Sequence, residues 1–139
     1  MILCATRGGE ESTITQTIAT QLARAKGEPL ALLYVADSSF LDKSASALLV
    51  DVEKELSKMG EFLMTMAAEK ARREGVEVQT IVRCGILRDL LPLIARELNA
   101  STIVMGKPAG DRSRFNHSEM STFIEHLAEQ TGAEVILAG

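Results

Sequence analysis

Short apolar runs alternate with longer helical patterns along the whole chain, and that alternation constrains the fold more than any other feature. Ile2-Leu3-Cys4-Ala5 is a strand-length apolar run closed by Gly8-Gly9. Ile14, Ile18, Leu22 and Ala25 then recur at helical spacing, with Ser12 expected as the N-cap and Gly27 at the exit. Pro29 opens a second continuous apolar run from Leu30 to Val35. A long helical pattern follows, in which Leu49, Val52, Leu56, Met59, Leu63 and Met66 form one stripe, ending at Gly75. Met59 and Met66, with Met64 nearby, read as ordinary core filling. Gly60 interrupts this pattern and is predicted to weaken the helix by about 1 kcal/mol and to permit a bend.

Val76, Val78, Thr80 and Val82 alternate with Glu77, Gln79, Ile81 and Arg83, a period of two that suits a strand with one face or edge toward water. Leu87, Leu90, Leu91, Ile94 and Leu98 predict a further helix. Pro92 fits it if Asp89 caps the start and the proline falls in the first turn. Thr102-Ile103-Val104-Met105 predicts a buried strand ending at Gly106. Phe123, Ile124, Leu127 and Ala128 mark the last helix, and Glu134 to Ala138 the last strand. The order βαβαβαβαβ implies parallel strands joined by right-handed helical crossovers, an α/β fold with helices on both sheet faces. One domain over residues 1–139 is expected, long enough for a core without disulfides or metal. Doubly wound sheets bind ligands beyond the carboxyl ends of the strands, where the strand order reverses.

Charge and composition narrow the classes of partner. A formal net charge of −4 argues against nucleic-acid binding, which leaves a basic imprint on a domain. No apolar stretch approaches the ~20 residues of a membrane span. Met1 leads straight into Ile2-Leu3-Cys4-Ala5 with no basic leader, so a cytoplasmic location is expected. Cys4 and Cys84 belong to no CxxC or Cys/His cluster and read as reduced structural thiols.

Two loops after strands carry candidate chemistry. The first is Thr6-Arg7-Gly8-Gly9-Glu10-Glu11-Ser12, whose glycines let backbone N–H groups approach a ligand at a helix N-terminus. Taken alone, these residues also read as a plain tight turn whose acidic residues complement the helix dipole, and that is the simpler reading. Arg7 could grip an anion bidentately or point into solvent. The second loop runs from Gly106 to Thr122 with Gly110, the cations Lys107, Arg112 and Arg114, and the hydroxyls Ser121 and Thr122. Glycines and hydroxyls leading into a helix are the ingredients of a phosphate cradle, and a solvated surface loop is the alternative. His117 has no evident second ligand for a metal, so no metal site is expected. His126 beside Glu125 reads as a surface histidine, and Asp37 as a turn residue. No nucleophile–base–orienter set is present, so no catalytic residue is assigned and binding is expected in place of catalysis.

The chain resembles the universal stress protein family over essentially its whole length. Residues 2–12 read like that family's opening strand and "V-D-G-S-E-x-S" turn, Leu32-Leu33-Tyr34-Val35 like its second strand, and Ser101 to Gly106 like its "D-L-I-V-M-G" strand. The resemblance implies a Rossmann-like five-stranded parallel sheet in the order 3-2-1-4-5, of the adenine nucleotide alpha hydrolase-like kind. It implies an adenine nucleotide, ATP or AMP, with Mg²⁺ accompanying ATP, in a stress-response role. The backbone near Val35 would contact the base. Gly106, Gly110, Ser121 and Thr122 would approach phosphate beside Lys107 and Arg112, facing Thr6, Arg7, Gly8 and Gly9. It also implies a homodimer through the last strand, Val135-Ile136-Leu137, an apolar run expected at a sheet edge.

The match departs from the family pattern at three points. Nucleotide-binding members carry Gly, two residues, Gly, nine residues, then Gly and Ser or Thr. Here three residues separate Gly106 from Gly110, ten more precede Ser121-Thr122, and serine replaces the last glycine. Arg7 stands where the family has an acidic residue. Two alternatives therefore stay open: a dimeric interaction module without a ligand, and an ATP-pyrophosphatase-type enzyme, whose "S-G-G-x-D-S" loop residues 7–12 faintly echo.

Overall fold

A computed structural model of the chain describes residues 1–6, 10–37, 46–106 and 117–138. Five strands, β1 (Ile2–Ala5), β2 (Leu30–Ala36), β3 (Val78–Cys84), β4 (Thr102–Gly106) and β5 (Glu134–Ala138), alternate with four helices. The helices are α1 (Glu10–Lys26), α2 (Ser46–Arg73), α3 (Leu87–Glu97) and α4 (His117–Thr131). The sheet is wholly parallel in the order β3-β2-β1-β4-β5, so the expected order 3-2-1-4-5 is observed.

Side-chain alternation along the central strands divides the interior in two. Ile2, Cys4, Leu30, Leu32, Tyr34 and Val104 point into one cluster, which includes Ala19 and Ala23 of α1 and Met64, Ala68 and Ala71 of α2. Leu3, Ala31, Leu33, Ile103 and Met105 point into the other, with Leu91 and Ile94 of α3 and Phe123 and Leu127 of α4. Strands covered on both faces must be apolar at consecutive positions, which is why these runs do not alternate in polarity. At the edge, β3 is covered less completely, and Gln79, Thr80, Arg83 and Cys84 are exposed.

Three helices end in the same way. At the end of α1, Glu28 N donates to Ala23 O at 3.0 Å around Gly27, whose φ is 64°. At α2 the corresponding bond runs from Val76 N to Ala71 O at 3.3 Å around Gly75. At α3 it runs from Ala100 N to Ala95 O at 2.9 Å around Asn99, whose φ is 51°. Glycine and asparagine stand there because the chain must turn left-handed to cap the last carbonyls.

Four local expectations need correction. Helix α1 begins at Glu10, so Ser12 is its third residue and is buried, and it does not cap the helix. The buried face of α1 is Ser12, Thr15, Ala19, Thr20 and Ala23, whereas Ile14 is exposed. Helix α3 starts after Ile86, with no side-chain cap, and Pro92 lies inside it at the sixth position. Asp89 sits in its first turn, where a carboxylate complements the helix dipole without capping.

The fourth concerns α2. Met64 is fully buried, but Met59 and Met66 are exposed and do not fill the core. Leu56 and Leu63 of the expected stripe do pack against the core, whereas the two methionines do not. The sheet-facing arc of α2 is Leu56, Gly60, Leu63, Met64, Ala67, Ala68 and Ala71. Met59 and Met66 each follow one of those leucines by three residues, about 60° around the helix, which carries them past the edge of the buried arc. Gly60 itself lies inside a continuous helix and is buried.

Candidate functional site

The order reversal places β1 beside β4, and their register decides what meets at the crevice. Ala5 lies opposite Met105, so Thr6 and Gly106 are the next pair at the carboxyl ends. On its other side Thr6 extends the β1–β2 pairing by donating its N–H to Leu33 O at 2.9 Å. Helix α1 leaves from the same end and turns a polar face back on it. Gln16 Nε2 donates to Thr6 Oγ1 at 2.9 Å, and the Thr20 hydroxyl holds Gln16 O at 2.8 Å. Gly106 is exposed, and a Cβ there would stand 3.3 Å from Thr15 Oγ1. The absence of a side chain at Gly106 thus lets the buried Thr15 of α1 pack close against the end of β4.

Of the expected binding residues, Thr6, Val35, Gly106, Ser121 and Thr122 are described. Thr6 and Gly106 are brought together. Val35, half-buried, follows Leu33 by two residues and so lies beyond the ends of β1 and β4. Ser121 and Thr122 are the fifth and sixth residues of α4, in its second turn, not at its start. Amides in the second turn are engaged by the helix itself, so these residues offer hydroxyls and not the unpaired N–H groups of a terminus. Arg7, Gly8, Gly9, Lys107, Gly110, Arg112 and Arg114 lie outside the described residues.

Sequence reasoning passed over Gln16, which holds the Thr6 hydroxyl, and Thr15, which is buried against Gly106. The available signal was the hydroxyl and amide spacing Ser12, Thr15, Gln16, Ala19, a polar face at helical period where core residues were expected.

A second concavity of about 400 Å³ lies between α3 and α4, lined by Arg88, Pro92, Glu119, Thr122, Phe123 and His126 among others. His126 is on the surface as expected. Among the described residues no three or more His, Cys, Asp or Glu side chains converge for a metal. Both cysteines are free, Cys4 buried and Cys84 exposed. Burial pushes the Cys4 thiol up to about 12. Cys84 Sγ lies 3.1 Å from Ser57 Oγ. Among the described residues no helix is long and apolar enough to cross a membrane.

The fold recurs in solved structures. A universal stress protein from Lactobacillus plantarum matches with a TM-score of 0.81 at 16% identity, over 99% of this chain and 96% of that one. A member of the universal stress protein family from Burkholderia pseudomallei matches at 0.68 and 24%, over 98% and 93%. A universal stress protein from Archaeoglobus fulgidus, in complex with dAMP, matches at 0.64 and 18%, over 99% and 96%. The curated proteins contain no match. The sequence model of the universal stress protein family matches residues 1–117, most of the chain and both strands that frame the crevice, and the protein belongs to that family.

Proposed function

We propose that this chain binds an adenine nucleotide at the carboxyl ends of β1 and β4, as a binding or sensing module. The observation that carries the reading is the juxtaposition of Thr6 and Gly106 at the strand-order reversal, where parallel α/β sheets place ligands. The dAMP complex of the Archaeoglobus fulgidus protein supports the choice of adenine. The residues fit such a ligand. Gly106 admits close approach to backbone, the Thr6 hydroxyl is oriented by Gln16, and α1 starts at Glu10, directly after Gly8-Gly9. Arg7, Lys107 and Arg112 supply positive charge to the phosphates, Gly8, Gly9 and Gly110 supply backbone approach, and Ser121 and Thr122 supply hydroxyls. The backbone near Val35 meets the base, and ATP carries Mg²⁺ with it.

The test is calorimetry with AMP, ADP and ATP, the last with and without Mg²⁺. Saturable binding at micromolar to low millimolar concentration, lost in Gly106→Val, supports the reading. No heat with any nucleotide overturns it.

A second reading, a ligand-free dimeric module, draws on the position of Ser121 and Thr122 in the second turn of α4. Both readings include pairing of two copies through β5, the sheet edge next to β4. Val135 and Leu137 pack toward one face and Ile136 toward the other, which leaves the backbone edge of β5 to be covered. A dimeric mass by light scattering that falls to the monomer in Ile136→Lys, with the fold retained, supports this assembly.

A further inference from the structure

Helix α2 carries an apolar stripe on the side turned away from the sheet. Phe62 is 65% exposed, Met66 55% and Met59 48%, three large apolar side chains at i, i+3 and i+7. At about 100° per residue, Phe62 projects roughly opposite Gly60 and Ala71, which are buried. Phe62 is therefore not a frayed margin of the core, and Met59 and Met66 continue the stripe between it and the half-buried Leu56 and Leu63. Single exposed apolar residues are ordinary, but three aligned along one helix mark an interaction surface. Methionine suits such a surface because its unbranched side chain adapts to the partner.

The charges bordering the stripe select its occupant. Along the same exposed face run Glu55 and Lys58 on the N-terminal side, and Glu69 and Arg73 on the C-terminal side. We propose that α2 docks antiparallel on α2 of a second copy of this chain, with the two-fold axis near residue 64. That register sets Phe62 against Met66 of the partner subunit. It places Glu55 near Arg73 of the partner subunit and Lys58 near Glu69 of the partner subunit, and the two-fold repeats each pair. Parallel pairing in register would instead oppose Glu55, Lys58, Glu69 and Arg73 each to its own copy, four like-charge contacts. The apolar centre supplies attraction, and the charge order supplies direction and register.

The size of the surface sets the strength. The 28 residues of α2 span roughly 42 Å, long enough for a helix–helix seam. Only its centre is apolar, so the contact falls short of the roughly 800 Å² per partner of a standard stable interface, and association is concentration-dependent. It uses a different face from β5 and does not depend on nucleotide binding.

The experiment is sedimentation velocity over a hundredfold concentration range, with circular dichroism to confirm each variant's fold. The expected result is a mass increase with concentration that Phe62→Asp removes, weakening association at least tenfold. Glu55→Arg and Arg73→Glu should each lose the increase alone. Their equimolar mixture should regain it, because one copy then presents only arginine and the other only glutamate at the two ends. A concentration profile unchanged by Phe62→Asp, as pairing through β5 alone would give, overturns the proposal. So does a wild type without any mass increase, or a mixture that behaves as the separate variants do.

Discussion

Gly60 and Tyr34 occupy space that only one of them can fill. A Cβ at residue 60 would overlap Tyr34 Cδ1 and lie 2.7 Å from Cε1. The glycine in the middle of α2 is thus the recess that admits the tyrosine ring, and the helix keeps a weak residue in exchange for close packing on β2.

Gly60→Ala should accordingly destabilise the protein, although alanine is the better helix former by about 1 kcal/mol. Forcing the buried Tyr34 ring to move costs about 1–3 kcal/mol, the range for overpacking a core. In a Tyr34→Ala background the same substitution should become neutral or stabilising. Urea denaturation of the four proteins measures the coupling, and additive effects would contradict the steric account.

Glu28 ties the chain start to the β4 entry. Its Oε1 accepts hydrogen bonds from the Met1 ammonium and from Ser101 Oγ, each at 2.6 Å. These bonds hold its carboxyl below the ordinary carboxylate range, the ammonium contributing most. A carboxyl lowered on folding contributes stability above its unfolded pKa and loses it as pH falls through the folded value. Glu28→Gln should therefore lower the melting temperature at pH 7 and make no difference once the carboxyl is protonated in strong acid. Equal differences at both pH values would contradict the assignment.

The two thiols should separate by reactivity. Cys84 is exposed and Cys4 is buried with its thiol pushed up to about 12. At pH 8 one equivalent of a thiol reagent should react promptly, and Cys84→Ser should abolish that fast phase. Cys4 should react only at the rate of opening. Because the Cys4 value is raised on folding, its contribution to stability is present below the unfolded pKa near 9.0 and falls as pH rises toward 12. Cys4→Ala should lessen that alkaline loss.

Pro92 at the sixth position of α3 removes an amide that would otherwise bond the Arg88 carbonyl. Pro92→Ala should raise stability by about 1 kcal/mol or more, read as an upward shift of the urea midpoint. A drop would show that the proline ring packs more usefully in the α3–α4 concavity than the lost bond costs.

In the crevice, Gln16→Ala removes the donor that orients Thr6. A net loss of about 0.5–1.5 kcal/mol is expected for the hydrogen bond. Nucleotide affinity should fall with it if the proposed site is correct. Calorimetry alongside denaturation separates the two effects.

Several of these relationships were legible in the chain and several were not. Element order, strand identity and the glycine stops at Gly27 and Gly75 follow from local chemistry, since a consecutive apolar run or a left-handed turn is specified within a few residues. The two strand ends that meet at the crevice were identifiable as Thr6 and Gly106 for the same reason. Helix phase was harder. Ile14, Met59 and Met66 belong to correct helical periods, yet all three are exposed, because a period does not state which side of the helix the sheet will occupy. The start of α4 at His117 was also missed, which moved Ser121 and Thr122 a turn inside the helix.

The sequence by itself determined the alternation of strand and helix, and with it a parallel sheet covered on both faces. The tertiary structure alone decided which face of each helix meets that sheet, that Tyr34 needs the recess at Gly60, and that Gln16 reaches Thr6. The physical reason is one of range. Strand and helix follow from the conformational preferences of neighbouring residues, whereas burial phase and side-chain fit depend on elements tens of residues apart packing at one density.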